Sequence, residues 1–154
     1  MSQIEKHFGE GLLVPENLSA LDYDLLDLAK VSFDEIGADI AAARFRDGLR
    51  AILKLVDAVN KYLNDTAPWK KIKENKAEAG KALFVSAHVL KCLAILIEPY
   101  LPIASEKSKE MLNINSNSWQ YPELAEIKVK NVILLYNRIE QAQIDEFLAV
   151  KKKE

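Results

Sequence analysis

The feature that most constrains this chain is a run of sixteen residues, Ala82 to Ile97, broken only by Ser86, His88 and Lys91. A bilayer-spanning helix needs about 20 apolar residues, so the run falls short and carries polar groups besides. A helix that is apolar around most of its circumference belongs at the centre of a helical bundle, covered on all sides by amphipathic neighbours. The rest of the chain can supply that cover. It has 154 residues, 49% hydrophobic and 29% charged, which suits one globular domain with a real core. Disordered, collagen-like and low-complexity classes are excluded on the same numbers.

Several chemistries drop out by count. The single Cys92 allows neither an internal disulfide nor a cysteine-based zinc site, and His7 and His88 are far apart in sequence. Five glycines form neither GxGxxG nor GxxxxGK[ST], so a dinucleotide fold and a P-loop are not expected. No GxSxG, HExxH or CxxC occurs either. His88 and Cys92 stand among apolar residues and read as core side chains rather than as a base and a nucleophile. The chain alone is therefore expected to be non-catalytic, with no metal and no cofactor of its own. Met1 to Lys6 lack a signal-peptide layout, which points to a cytoplasmic address and no membrane.

Helical signals run along most of the sequence. Residues 1–8 read as a helix closed by Gly9 and Gly11, and Val14-Pro15 as an extended connection. Ser19 is placed to cap a second helix, with Asp22 and Asp24 at its positive end. Leu21, Leu25, Leu28, Ile36 and Ile40 continue it at helical spacing through Gly37. Phe45, Leu49, Ile52, Leu53, Val56 and Leu63 share one arc of a third helix, which stops at Asn64-Asp65-Thr66 ahead of Pro68. Asn60 lies within that arc, so it reads either as a buried amide that organises the core or as a site residue. A short helix starts near Trp69, the apolar helix runs from about Asn75 to Glu98, and Pro102 opens another through Met111. Residues 113–122 read as a loop, Ile127 to Ile133 as extended, and Gln141 to Val150 as a last helix. The expected fold is all-α: one domain over residues 1–154, an antiparallel bundle of about five helices.

Charge is unevenly distributed. Residues 1–41 carry nine acidic and two basic side chains, whereas residues 42–81 carry five acidic and ten basic. The middle third alone has a positive field able to hold a polyanion, although the same lysines would also serve as a solvated helix face. Within it stands Asn60-Lys61-Tyr62-Leu63-Asn64-Asp65-Thr66-Ala67-Pro68-Trp69-Lys70-Lys71-Ile72-Lys73. Pro68 fixes the backbone ahead of an indole at a helix junction, and five lysines follow by residue 81. A base stacks on an aromatic face while cations hold phosphates, which is how single-stranded nucleic acid is bound. An indole plugging the end of the bundle would give the same sequence.

The order Asn-x-Tyr-x5-Pro-Trp-x3-Lys, followed by an apolar helix and Glu98-Pro99-Tyr100-Leu101-Pro102, resembles the C-terminal anticodon-binding domain of methionyl-tRNA synthetase, a class I aminoacyl-tRNA synthetase. Phe8-Gly9-Glu10-Gly11, Arg44-Phe45 to Leu49, and Leu135-Tyr136-Asn137-Arg138-Ile139 with Gln143-Ile144 extend the resemblance along essentially the whole chain. It implies a domain that reads the CAU anticodon for a ligase joining methionine to its tRNA with ATP and magnesium. On the matching positions it implies that Trp69 stacks on an anticodon base, that Pro68 shapes the pocket, and that Asn60 and Lys73 support it. Lys70, Lys71, Arg46 and Arg50 are added on charge alone. The implied partners are the methionine tRNA and the catalytic part of the same enzyme, against which the family's end segment packs. Left without that partner, the apolar end segment invites self-association.

The HIGH-like and KMSKS-like signatures of the catalytic fold are absent from these residues, as is any zinc-bearing insertion. The upstream asparagine and arginine of the family have no counterpart, and the chain reads as a domain beginning within its first helix. A valine, isoleucine or leucine synthetase domain would keep the fold and change the anticodon, and a helical adaptor would use Trp69 only for packing.

Overall fold

The computed structural model describes residues 1–9, 11–115, 118–141 and 143–144. In chain order the elements are α1 (Ser2–Phe8), β1 (Gly11–Leu12), α2 (Ala20–Ala41), α3 (Phe45–Thr66), α4 (Pro68–Lys71), α5 (Lys76–Leu96), α6 (Pro102–Met111) and β2 (Ile127–Lys128). Helix α5 is the hub: α2, α3, α4 and α6 all pack on it, and α2 and α3 pack on each other. Phe84, Val85, Val89, Cys92 and Leu96 along it are fully enclosed. By length and composition α5 would cross a membrane, yet 83% of its apolar window is buried inside the bundle. The run that constrains the sequence is a core helix.

Local chemistry sets the boundaries. Ser19 and Asp22 form a reciprocal capping box at the start of α2, and Gly37 lies inside that helix without ending it. Only residues 42–44 separate α2 from α3, so the two helices return on each other; Arg44 closes the turn on Asp39 at 2.8 Å. Asn75 caps α5 by accepting the Glu78 N–H, and Pro102 sits in the first turn of α6.

The all-α bundle expected from sequence is present, with one two-residue addition in which Gly11 and Leu12 pair antiparallel with Lys128 and Ile127. Three local details differ from the sequence reading. Gly11 does not close α1; it permits this pairing, since a Cβ there would lie 2.5 Å from the Ile127 carbonyl oxygen. Past Lys128 the expected extended stretch is irregular. On α3 the buried stripe is Gly48, Ile52, Leu55, Val59 and Tyr62. It is rotated by roughly a quarter turn from the centre of the apolar arc, at 100° per residue. Phe45, Leu49, Leu53 and Asn60 consequently face solvent. Asn60 is therefore no buried organiser of the core.

Gln141, Gln143 and Ile144 of the expected last helix are helical, whereas residues 142 and 145–150 lie outside the described residues. Before them Ile133, Leu134, Tyr136 and Ile139 are exposed.

Candidate nucleic-acid interface

The site is built on a change of direction. Ala67 ends α3 in the left-handed region, with φ 41° and ψ 57°, and its N–H donates to the Leu63 carbonyl at 2.9 Å. That conformation costs an ordinary residue about 1–2 kcal/mol, so surrounding contacts must enforce it. Pro68 follows as the first residue of α4 and is buried. Its fixed φ starts the new helix, and its missing N–H costs nothing at that position. The Ala67 carbonyl accepts the N–H of Lys70 at 2.9 Å, and the Pro68 carbonyl accepts that of Ile72 at 3.0 Å. Asn75 N–H donates to the Lys71 carbonyl at 2.7 Å, joining α4 directly to the cap of α5.

Trp69 rides on this short helix with 48% of its surface exposed. Among the described residues its indole has neither a ring partner nor a hydrogen bond, while its backbone is held at both ends. Lys70, Lys71 and Lys73 follow it in sequence and have no ion pair among the described residues. The next two lysines are otherwise engaged: Lys76 Nζ stands 5.1 Å over the Phe8 ring, and Lys81 pairs with Glu78 at 2.8 Å.

Of the residues expected from sequence, the structure brings Pro68, Trp69, Lys70, Lys71 and Lys73 into one segment. Asn60 is exposed on α3 about two turns earlier, with its amide open to a ligand. Arg46 and Arg50 are not brought to the indole. They sit in the first turns of α3, about 24–30 Å along the helix axis from its end. Arg50 is further tied to Asp47 at 3.2 Å in an exposed pair.

Sequence reasoning missed what lies behind the junction. The buried Tyr62 hydroxyl donates to Asp22 Oδ1 at 2.5 Å, across 40 residues of chain. Asp22 Oδ2 accepts the Ser19 N–H at 2.7 Å and the Ser19 hydroxyl at 2.8 Å. Burial pushes the Asp22 carboxyl up, but the Tyr62 and Ser19 donors outweigh it and hold the group below its ordinary value. Burial and the facing carboxylate together push the Tyr62 phenol far above its ordinary range.

The nucleophile and base candidates have no catalytic setting. His88 is fully enclosed, and burial, with the Lys91 charge, pushes it down to about 4. Burial pushes Cys92 up to about 12. No group of three His, Cys, Asp or Glu side chains among the described residues could hold a metal ion. The chemistry on offer is recognition: a flat, half-exposed ring on a segment whose Lys70, Lys71 and Lys73 have no ion pair among the described residues.

The known proteins that this chain is similar to agree with one another. Methionine–tRNA ligase of Pyrococcus horikoshii is 35% identical over 152 residues, spanning 96% of this chain and 21% of the relative. That of Pyrococcus furiosus is 36% identical over 140 residues, 88% of this chain and 19% of the relative. The chain thus spans about a fifth of the length of these curated relatives. Among solved structures, Mycobacterium tuberculosis methionyl-tRNA synthetase in complex with methionyl-adenylate shares the fold with a TM-score of 0.82. The match is 21% identical and covers 89% of this chain and 29% of that one. The family model described as the anticodon binding domain of methionyl tRNA ligase matches residues 15–147. On this evidence the chain belongs to the anticodon-binding domains of methionyl-tRNA ligases.

Proposed function

We propose that this domain reads the CAU anticodon of the methionine tRNA for a ligase that joins methionine to that tRNA. The observation that carries the reading is Trp69: a half-exposed indole on a backbone fixed at both ends, in a segment whose three lysines have no ion pair among the described residues. An anticodon base stacks on the ring, and Lys70, Lys71 and Lys73 hold the flanking phosphates. Pro68 sets the plane of the platform, and the exposed Asn60 amide is available to a base edge or a sugar hydroxyl. Arg46 and Arg50, at the far end of α3, add long-range attraction rather than contact with the stacked base.

ATP and magnesium serve the catalytic part of the ligase and have no role in this domain. The catalytic part is the second partner, and the exposed Ile133, Leu134, Tyr136 and Ile139 are the surface it would cover; a second copy of the chain is the competing occupant. Such a ligase works in the cytoplasm with the tRNA pool.

The test is binding of the chain to a CAU anticodon stem-loop beside stem-loops carrying other anticodons. Preference for CAU, lost on Trp69→Ala, is the expected result. Equal binding to all loops, or no effect of Trp69→Ala, would overturn the reading.

A further inference from the structure

We propose that Tyr62 and Asp22 are positioning residues for the Trp69 platform: their buried hydrogen bond locks the last turn of α3 to the first turn of α2 and so fixes where the indole stands. The proposal rests on the stacking role given to Trp69.

A half-exposed ring gains affinity for a base only if it is already in place, because ordering it on binding costs free energy. A helix of four residues cannot order itself. The orientation of Trp69 is set by what flanks that helix: the cap of α5 on one side and, on the other, the end of α3, where Ala67 is held in a conformation its side chain disfavours.

The contacts that enforce Ala67 lead back to Tyr62. The Tyr62 carbonyl accepts the Thr66 hydroxyl at 2.7 Å, and the adjacent Leu63 carbonyl accepts the Ala67 N–H at 2.9 Å. The Tyr62 ring is buried, and its hydroxyl reaches Asp22 Oδ1. Asp22 completes the capping box of α2 with its other oxygen alone. The cap of α2 therefore does not require Tyr62. Nor does packing at this buried position require a hydroxyl, since a phenyl ring would fill the same space. What the hydroxyl adds is direction, because a buried hydrogen bond to a charged oxygen tolerates little displacement. It sets the rotation and height of the last turn of α3 against α2, and Ala67-Pro68-Trp69 continue from that turn.

The experiment uses the full chain with Trp119→Phe, so that Trp69 is its only indole. Tyr62→Phe removes the hydroxyl and keeps the ring. Ser19→Ala weakens the cap of α2 and leaves the Tyr62 hydroxyl bonded to Asp22 Oδ1. Time-resolved fluorescence anisotropy reports the motion of Trp69 in the ligand-free chain. Affinity for the CAU stem-loop is measured well below the melting temperature of every variant.

Tyr62→Phe should enlarge the fast depolarisation of Trp69 and weaken the stem-loop about tenfold, whereas Ser19→Ala should stay close to the parent in both readouts despite a lower melting temperature. Trp69 depolarisation unchanged in Tyr62→Phe would overturn the proposal, and so would mobility and affinity that merely follow melting temperature across the series. Trp69→Ala separates the two readings. If it costs no affinity, base stacking is lost as a function, while the anisotropy comparison still decides whether Tyr62 positions the indole.

Discussion

The two tryptophans are almost equally exposed, 48% for Trp69 and 37% for Trp119, and they are held in opposite ways. The Trp119 Nε1–H donates to the Phe33 carbonyl at 3.4 Å, and its ring meets Phe33 edge-on at 6.0 Å. Gly37 leaves room for it, since a Cβ there would stand 3.1 Å from Nε1. Behind Phe33 lies Tyr121, whose hydroxyl is 3.0 Å from His88 Nε2 on the core helix. Trp119 is thus the outer tile of an aromatic stack that reaches the centre of the bundle. In Trp69 the backbone is fixed and the ring has no ring or hydrogen-bond partner among the described residues. Exposure alone does not separate a packing indole from a recognition indole; what the ring is bonded to does.

Acid gives the largest expected contrast. His88 is held neutral at about 4 against an ordinary 6.5, so its contribution is complete above pH 6.5 and is lost as pH falls toward 4. Between pH 7 and 4.5 the loss should be about 2–3 kcal/mol, measured by urea unfolding and flattened by His88→Gln. Asp22, held below its ordinary 3.8, stays charged through this window and loses its contribution only at lower pH. The Trp119 side should therefore loosen before the Trp69 side, visible in the emission of single-tryptophan variants. Simultaneous changes in both emissions would break the contrast.

Trp119→Ala should cost about 2–3 kcal/mol of stability, somewhat below the range for a fully buried aromatic, with little change in stem-loop affinity. Trp69→Ala should do the reverse: a tenfold to hundredfold loss of affinity, from a stacking contribution of ~1–3 kcal/mol, with stability within about 0.5 kcal/mol of the parent. Either tryptophan affecting both readouts equally would erase the distinction. The smallest effect belongs to Gly37→Ala. Helix propensity favours it by about 1 kcal/mol, but the new Cβ crowds Trp119. It should be nearly neutral in the parent and stabilising by about 1 kcal/mol when Trp119 is already Ala, as a double-mutant cycle would measure.

Much of this was legible before the structure. Proline positions and the cap at Ser19 marked helix ends to within a residue or two, because capping and φ restriction act locally. The apolar run of α5 announced its own burial. The side of α3 turned to the core did not, because apolar residues there cover a wider arc than the neighbours bury, leaving Phe45, Leu49 and Leu53 outside. The same rotation takes Asn60 out of the core and leaves the other of its two readings, a site residue. The bond from Tyr62 to Asp22 joins residues 40 apart, and no spacing rule reaches that far. Trp69 and its lysines are adjacent in sequence, so that part of the site could be read directly, whereas Arg46 and Arg50 entered only by charge.

The two-residue pairing of β1 with β2 has a consequence for the order of folding. It joins Gly11 to Lys128 and Leu12 to Ile127, so more than a hundred residues must be looped before it can form. Loop closure over such a length is costly relative to the neighbouring contacts of the α2–α3 hairpin. Ile127 is enclosed against a bundle that must already exist to enclose it. The clasp should then close last on refolding and contribute mainly to the rate of unfolding: weakening it by Ile127→Ala should speed unfolding while leaving the folding rate nearly unchanged.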